Sequence, residues 1–430
     1  MDKSKKDIPG FFYDEKKRRY FKIFENHAID VLYPYSLENI RKRNKNDLEM
    51  KKKVLFTQTA QKTETNFFQR NIDREVGRQR IGSMSQHIAC SYDALWINRL
   101  SMHHAKEPNL DHGSLITCLN FTPDMDYILF GTSFGLLGAI KSTSIEYAYG
   151  PSQWNISRST SELTSLSVDS SGKFICTFMG NEKNPGYFQI GIVKKNIQEN
   201  LLDYDINVTM VPRGKNALWA SAISPSGQVA AIGGSRMAMI VKGIDNNAEC
   251  VSDFYGLKSD VFAVEFLNVN TFLTGSRNGC VNFFDIRCKN TSQTRSIGLG
   301  IRHKSSVTNF GLIGDYYLIV AGLENSLNMY DIRMTRPVND SFSQSVLSFN
   351  GHVNEYSFGY GFSISCNKRV VAAAGQDRVC FWSTLDGKLL RKKPMKFNAS
   401  RALKFCQTST KWFEELCIAN ETHLEWWSSN

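Results

Sequence analysis

The sequence "NMYDIR", residues 328–333, lies 46 residues after the sequence "NFFDIR", residues 282–287. Both copies place an aromatic residue before Asp-Ile-Arg, and we call Asp285–Arg287 and Asp331–Arg333 the Asp-x-Arg boxes. Recurrence at this distance indicates an architecture built from repeated units of 40 to 50 residues or so. The two boxes therefore set the period with which the rest of the chain is compared.

Seven segments share one pattern, in which a short apolar strand is followed by a turn and by a second strand that ends near small residues. They begin at Ile116, Leu163, Leu218, Val261, Val307, Tyr356 and Ala402. This spacing is typical of propeller blades made of four short strands, and turn sequences such as "DSSG", "SPSG" and "RNG" separate the strands. Seven blades close into a ring that leaves no long sheet edge exposed, so we expect an all-β, seven-bladed propeller.

The segments resemble WD repeats. "GSRNGCVNFFD" and "AGLENSLNMYD" follow the family's line of small residues, Asp-Gly, Val and Trp-Asp, with Phe284 and Tyr330 at the Trp position. The family's Gly-His dipeptide recurs at Gly351-His352. The resemblance implies that His352 and Asp377 form a structural hydrogen-bond relay inside a blade, rather than a catalytic pair, because buried polar groups need partners.

One motif points instead to an enzyme. "GTSFG", residues 131–135, matches the Gly-x-Ser-x-Gly nucleophile elbow of α/β-hydrolases. That motif needs a helix after it, but the following "LLGAIKSTSIEY" has no helical pattern, and the same slot in other repeats is a turn. We therefore expect Ser133 to lie in a turn between two strands. We expect no catalytic residues, no metal site, no cofactor and no small-molecule substrate.

The Asp-x-Arg boxes allow two interpretations. Asp285 and Arg287, like Asp331 and Arg333, share one face of a strand, and each Asp could close its own turn while each Arg pairs with a neighbouring carboxylate. The boxes also resemble the WDxR box of the DCAF class, the WD-repeat substrate receptors of cullin-RING ubiquitin ligases. This resemblance implies that Arg287 and Arg333 contact the ligase's propeller-built adaptor, with Phe and Tyr in place of the family's Trp.

The N-terminal stretch "IPGFFYDEKKRRYFKI", residues 8–23, is rich in aromatic residues for a segment with so much charge. It forms either a small hairpin or a segment that docks on a partner. It resembles the N-terminal signature of one DCAF subfamily, that of the fourth numbered factor. The residues expected to dock on a partner are Phe11, Phe12, Tyr13, Tyr20 and Phe21, together with Phe67 and Phe68 on a helix expected at residues 66–80.

Charge and composition divide the chain. Residues 1–100 carry 21 Lys and Arg against 13 Asp and Glu, which accounts for +8 of the net charge of +11. We expect a basic, partly helical N-terminal extension at 1–85 and a propeller at 86–430, with residues near 86–100 supplying the strand that closes the ring. The basic runs Arg41–Lys45 and Lys51–Lys53 are either a nuclear signal or a solvated face.

Ten cysteines without any Cys-x-x-Cys pair favour a reducing compartment, the nucleus or the cytoplasm. No run approaches 18 apolar residues, so we expect no membrane partner. The nearly neutral propeller makes nucleic-acid binding the weaker alternative. The expected function is that of a non-catalytic substrate receptor, whose partners are a cullin-RING adaptor and an unknown target. The alternative is a general WD-repeat scaffold in a nuclear chromatin or RNA-processing complex.

Overall fold

The computed structural model describes residues 11–14, 19–22, 81–142, 153–196, 201–212, 216–244, 251–288, 299–337, 341–395, 400–407 and 414–429. Contacts divide the chain into two compact units, residues 1–84 and residues 85–430. The expected helix at 66–80, with Phe67 and Phe68, lies outside the described residues, as do the two basic runs.

The first unit contains a two-stranded antiparallel hairpin. Strand β1 (Phe11–Asp14) pairs with β2 (Arg19–Lys22), which sets Phe12 opposite Phe21 and Tyr13 opposite Tyr20. Aromatic cross-strand pairs stabilise such a ladder, although a hairpin of this length is marginal by itself. The backbone of this stretch is therefore a small hairpin, the first of its two interpretations; whether it docks on a partner is a separate question.

The second unit has seven antiparallel sheets, or blades. Blade 1 comprises β4 (Ile116–Phe121), β5 (Tyr127–Thr132), β6 (Leu136–Lys141) and β7 (Gln153–Arg158); blade 2 comprises β8 (Leu163–Val168), β9 (Lys173–Phe178), β10 (Tyr187–Asn196) and β11 (Leu201–Met210); blade 3 comprises β12 (Leu218–Ile223), β13 (Val229–Gly234), β14 (Met237–Lys242) and β15 (Val251–Gly256).

Blade 4 comprises β16 (Val261–Phe266), β17 (Thr271–Ser276), β18 (Cys280–Asp285) and β19 (Leu299–Arg302), with β23 (Arg336–Pro337) added at its edge. Blade 5 comprises β20 (Val307–Ile313), β21 (Tyr317–Gly322), β22 (Leu327–Asp331), a 3-10 helix (Ile332–Met334) and β24 (Leu347–Ser348). Blade 6 comprises β25 (Phe362–Ile364), β26 (Val370–Ala374), β27 (Arg378–Ser383) and β28 (Leu389–Pro394).

Blade 7 is built from both ends of the propeller. Strands β29 (Ala402–Cys406), β30 (Glu415–Asn420) and β31 (His423–Ser429) are joined by β3 (Leu100–Lys106), which pairs with β31. The first strands of successive blades contact one another in a cycle that returns from β29 to β4. The seven-bladed ring is thereby closed, as the repeat period predicts.

The expected position of the closing strand was wrong. Residues 81–99 form helix α1 (Ile81–Arg99), and the closing strand β3 begins immediately after it at Leu100. Trp96, Ile97 and Leu100 recur at helical spacing and are buried against blades 6 and 7. Burial of this face holds residues 86–99 in a helix, so only the last residue of the expected segment enters the sheet.

Six of the seven expected blade starts coincide with the first residue of a first strand. The exception is blade 6, which begins at Phe362 rather than at Tyr356. There the Asn354 side chain accepts from the Ser357 N–H and donates to the Ser357 carbonyl, at 3.1 and 2.8 Å. Such local side-chain bonds compete with a sheet ladder and keep this segment a loop.

The core lies in layers between neighbouring blades. All the residues of β5 and β26 are buried, because both faces of each sheet pack against another sheet. Turns between second and third strands fit closely against the loop that leads to the next blade, as at Gly135 and Gly279. At Gly279, φ is +84° and a Cβ would lie 2.7 Å from the His303 carbonyl oxygen, so glycine suits this turn on both counts.

The two sides of the ring differ in their loops. Strands within a blade run antiparallel, so the turns that follow first and third strands lie on one side. Both Asp-x-Arg boxes follow third strands, β18 and β22, and we call this side the box face. The turns after second strands and the loops between blades lie on the opposite face.

Candidate docking rim

The two boxes begin at the ends of equivalent strands in neighbouring blades. Asp285 is the last residue of β18, Asp331 is the last residue of β22, and the first strands of these two blades contact each other. In each box the Asp Oδ1 accepts from the backbone N–H of the Arg two residues later, at 2.9 Å. This bond closes the turn in the way that short acidic side chains commonly do.

Each arginine also folds back on the carboxylate of its own box. In both boxes, Nε lies 3.0 Å from Oδ1 and Nη2 lies 2.6 Å from Oδ2. The hydrogen bond from the Arg side chain lowers the pKa of Asp285 and of Asp331 below the usual range. The turn-closing interpretation of the boxes therefore holds for the structure of each box.

This pairing still leaves the arginines available to a partner. The side chains of Arg287 and Arg333 are 69% and 55% exposed, whereas those of Asp285 and Asp331 are 16% and 13% exposed. A guanidinium has five N–H groups, and a bidentate contact with one carboxylate uses about two of them. Exposed ion pairs add little to stability, so the main effect of the carboxylate is to hold the guanidinium in one orientation on the box face.

The second box has an aromatic support that the first lacks. The guanidinium carbon of Arg333 lies 4.5 Å from the centre of the Tyr316 ring, in the turn after β20. The N–H that follows each boxed Asp donates to the preceding turn, to Tyr316 in blade 5 and to Asn270 in blade 4. Asn270 thus takes the place of Tyr316, and no ring stacks on Arg287 among the described residues. Two adjacent tyrosines in "DYYL", residues 315–318, are the sequence feature that could have indicated this exposed ring. Tyr316 was not among the site residues predicted from the sequence.

The aromatic residues before the boxes face the core rather than the rim. Phe284 is buried and stacks on Phe272, with ring centres 5.1 Å apart. Tyr330 is buried, and its hydroxyl lies 2.9 Å from Nδ1 of His303. Replacement of the family's Trp at these positions therefore alters the interior of a blade and leaves the exposed Arg unchanged.

The structural relay exists, but not where it was expected. His303 Nε2 lies 2.7 Å from the Ser326 hydroxyl, which lies 2.6 Å from the Ser305 hydroxyl, and Nδ1 reaches Tyr330. His303 follows Arg rather than Gly, so the Gly-His dipeptide did not reveal it. Burial lowers the pKa of this imidazole to about 4.

The expected pair of His352 and Asp377 is not formed. Asp377 is exposed and takes both bonds of the Arg378 guanidinium. His352 is buried beside Trp382, and neither of its ring nitrogens has a hydrogen-bond partner among the described residues. Four residues separate the last paired residues of β26 and β27, Ala374 and Val379, one fewer than the five between the corresponding pairs of blades 4 and 5, and Asp377 lies in this shorter connection.

The N-terminal residues expected to dock are placed only in part. Phe11 and Tyr20 are exposed on the hairpin, and Phe21 is half-buried. Phe12 and Tyr13 lie in β1, opposite Phe21 and Tyr20. The hairpin and the propeller belong to different units of the chain.

Ser133 lies in a turn between two strands, as expected. Its hydroxyl accepts from the Leu115 N–H at 3.0 Å, and β6 starts three residues later, where a nucleophile elbow would require a helix. Within the described part of the chain, no group of three or more His, Cys, Asp or Glu side chains could hold a metal ion. No described helix is long and apolar enough to cross a membrane.

No protein-family model matches the chain. The human protein named DDB1- and CUL4-associated factor 4 is 22% identical over 421 residues, which cover 92% of this chain and 80% of that protein. The bovine protein of the same name is 20% identical over 423 residues, covering 92% of this chain and 81% of that protein. WD repeat-containing protein 21 of Schizosaccharomyces pombe is 22% identical over 393 residues, covering 88% of each chain.

Among solved structures, the β-propeller domain of Myceliophteria thermophila Cps50 (Swd1) superposes with a TM-score of 0.56 at 14% identity. The match covers 77% of this chain and all of that domain. At this identity the likeness concerns the fold alone. Together with the seven blades, the comparisons show that this chain is a seven-bladed β-propeller that resembles WD-repeat proteins, among them DDB1- and CUL4-associated factor 4.

Proposed function

We propose that this chain is a substrate receptor of a cullin-RING ubiquitin ligase, and that its box face docks a DDB1-type adaptor through Arg287 and Arg333. The observation that carries the proposal is the shared geometry of the two boxes. In each, the carboxylate holds an exposed guanidinium in the same orientation at the same position of neighbouring blades. The names of the human and bovine relatives supply the adaptor and the cullin, DDB1 and CUL4.

Arginine suits such a contact. Its planar fork keeps three N–H groups or so for acceptors on a partner while the remainder bind the boxed Asp. Orientation by that carboxylate reduces the side-chain freedom that docking would otherwise restrict. Arg side chains are also frequent among the residues that dominate the energy of protein interfaces.

The N-terminal hairpin is proposed as a second contact with the same ligase. Phe11 and Tyr20 expose aromatic surface on a short hairpin that is marginal by itself, and docking on a partner would cover that surface. The target to be ubiquitinated would then be held elsewhere on the propeller. With the box face and the hairpin on the ligase, the opposite face of the ring would be free to bind the target.

The test is an affinity purification from native cells with wild type and the Arg287→Ala/Arg333→Ala variant as baits. We expect the adaptor and the cullin to co-purify with wild type and to fall by roughly tenfold or more with the variant, as for interface hot spots. Arg378→Ala is the matched control. Arg378 also forms a bidentate pair with a neighbouring Asp, but it begins β27, next to a turn of the opposite face.

A bait that recovers no ligase component in either form contradicts the proposal. The boxes would then serve only to close turns, and the alternative of a general WD-repeat scaffold would take its place. Loss of the adaptor with Arg378→Ala to the same degree would show that the effect does not belong to the box face.

A further inference from the structure

The chain between the last two strands of blade 5 takes a detour to blade 4. After Arg333 it pairs with the outer strand of blade 4, with Arg336 opposite Gly300, and then returns to blade 5, where Ser348 is opposite Asn328. On the way, Ser343 is bound to Arg302 by two hydrogen bonds of 2.9 Å. The described parts of this segment, residues 334–337 and 341–348, therefore connect the outer rims of the two blades that carry the boxes, and we call them the bridge.

This bridge encloses a groove beside the second box. The groove has a volume of about 650 Å³, and Tyr330 and Asp331 form part of its wall. Sites that hold small ligands have volumes of about 300–1,000 Å³. The groove is therefore large enough to receive more than one side chain.

Three large apolar side chains of the bridge are left in solvent around this groove. Met334, Phe342 and Val346 are 71%, 60% and 51% exposed, and all three line the groove. Tyr316, which supports Arg333, is exposed nearby. Apolar surface concentrated in this way on a soluble protein marks an interaction site.

The charges at the groove are unbalanced. Arg302 lines it, and Nη1 of Arg302 donates to the Cys280 sulfur at 2.7 Å, so no carboxylate among the described residues pairs with this guanidinium. Asp331 is the carboxylate among the described lining residues, and both of its oxygens already accept from Arg333. The groove thus offers basic donors and apolar surface together, which is complementary to a partner that carries acidic side chains beside an apolar one.

We infer that this groove receives a segment of the adaptor in which an apolar side chain is flanked by carboxylates. The inference rests on the proposed function, since the occupant belongs to the partner that contacts Arg333. The apolar side chain fills the space between Met334 and Phe342, and the carboxylates meet Arg302 and the outer edge of Arg333. Docking then covers apolar surface that the isolated propeller leaves in water.

The test uses the full chain and purified DDB1 of the same organism, with affinity measured by calorimetry. Met334→Asp/Phe342→Asp places repelling charge in the apolar contact, and we expect the affinity to fall by roughly tenfold or more. Leu385→Asp is the control, because Leu385 is also exposed on the box face but lies in the turn after β27, outside the groove. Melting temperatures verify that each variant is folded.

The outcomes separate the groove from the boxes. If the box variant Arg287→Ala/Arg333→Ala binds weakly and the groove variant binds normally, the groove inference is overturned and the proposed function stands. If the groove variant binds weakly and the box variant binds normally, the apolar contact in the groove stands, whereas the proposed role of the boxes and the carboxylate contact with Arg333 are overturned. Wild type that does not bind DDB1 overturns both.

The salt dependence of the affinity tests whether the occupant of the groove carries carboxylates. We expect the wild-type affinity to fall as sodium chloride is raised, because charge pairs at the rim of an interface are screened. We expect a weaker salt dependence in Arg333→Ala, since it lacks one of these pairs. An affinity that does not respond to salt overturns the carboxylate part of the inference.

Discussion

At the scale of single residues, two histidines are buried to a similar degree but differ in their hydrogen bonding. His303 is bonded at both ring nitrogens, whereas His352 has no hydrogen-bond partner among the described residues. The sequence pattern located His352 through its Gly-His dipeptide but could not show whether an acceptor lies within reach. That depends on another part of the blade, where the connection that contains Asp377 is one residue shorter than in blades 4 and 5.

The two histidines should therefore respond in opposite ways to the same substitution. His303→Leu leaves Tyr330 and Ser326 without their buried partner, and we expect a loss of about 2–4 kcal/mol in the free energy of unfolding. His352→Leu removes a buried imidazole that has no partner, so we expect a change within about 1 kcal/mol or a gain. Guanidinium denaturation of both variants measures the difference. Equal losses would show that His352 has a partner that the relay geometry does not reveal.

Both histidines also make stability depend on pH. Burial lowers the pKa of each to about 4, below the value of 6.5 for an unburied imidazole. Between these two values the unfolded chain binds a proton that the folded chain does not bind. Stability is therefore greatest above pH 6.5 or so and is lost as the pH falls towards 4, by about 1.4 kcal/mol per pH unit for each histidine.

This dependence can be measured with the same variants. Denaturation of wild type from pH 7 to pH 5 or so should give a falling stability, with the slope reduced by about one proton in His303→Leu and again in His352→Leu. A pH dependence that is unchanged in both variants would assign the effect to other groups, such as the carboxylates.

At the scale of elements, the strands were predicted and the helix was missed. A blade strand leaves a local signature of apolar residues and turn residues, and that signature placed six blade starts correctly. Helix α1 was mistaken for the closing strand because ring closure required a strand near it. The helical signal was present in the spacing of Asp93, Trp96, Ile97 and Leu100, all of them buried on one side.

An ion pair between the buried Asp93 and the partly exposed Arg369 joins helix α1 to blade 6. Asp93 is completely buried and accepts two hydrogen bonds from the Arg369 guanidinium, which also donates to the Ala89 carbonyl. At the other end of the helix, Arg391 donates to the carbonyls of Ile97 and Leu100 at 2.8 and 2.6 Å. Two arginines of blade 6 thus hold the helix at both ends.

We expect Arg369→Ala to destabilise the propeller by roughly 3–5 kcal/mol, because it leaves a buried carboxylate without its partner. Hydrogen exchange should accelerate first at residues 89–99. The double variant Asp93→Leu/Arg369→Met removes both charges and should recover much of the loss. Unchanged exchange in helix α1 of Arg369→Ala would show that apolar packing alone holds the helix.

At the scale of the whole molecule, the repeat period was sufficient to predict a closed ring of seven blades. It could not predict how the ring closes, because closure joins residues more than 300 positions apart and the β3 sequence "LSMHHAK" has little apolar alternation. The sides of the ring became distinguishable only when the third strands were placed. That placement assigned both boxes to one face, next to a bridge between their blades.

Closure predicts how the chain should respond to truncation. Removal of residues 1–80 keeps helix α1 and β3 in the chain, and this variant is the reference for two longer deletions. Removal of residues 1–106 takes away the outer strand of blade 7 and uncovers β31 as a sheet edge with two adjacent tryptophans. We expect this variant to unfold at markedly lower temperature and to associate through the open edge.

The 1–106 deletion removes both helix α1 and the closing strand β3, and either loss could lower stability. Removal of residues 1–98 separates these two effects, because it deletes most of the helix and keeps the closing strand. If closure dominates, this variant remains monomeric and is only moderately less stable, since it loses the buried Trp96 and Ile97 but no ladder bonds of blade 7. Gel filtration and thermal melting of the three truncated chains make the comparison. A 1–106 deletion that stays monomeric and melts like the 1–98 deletion would mean that six complete blades and three strands suffice to hold the ring shut.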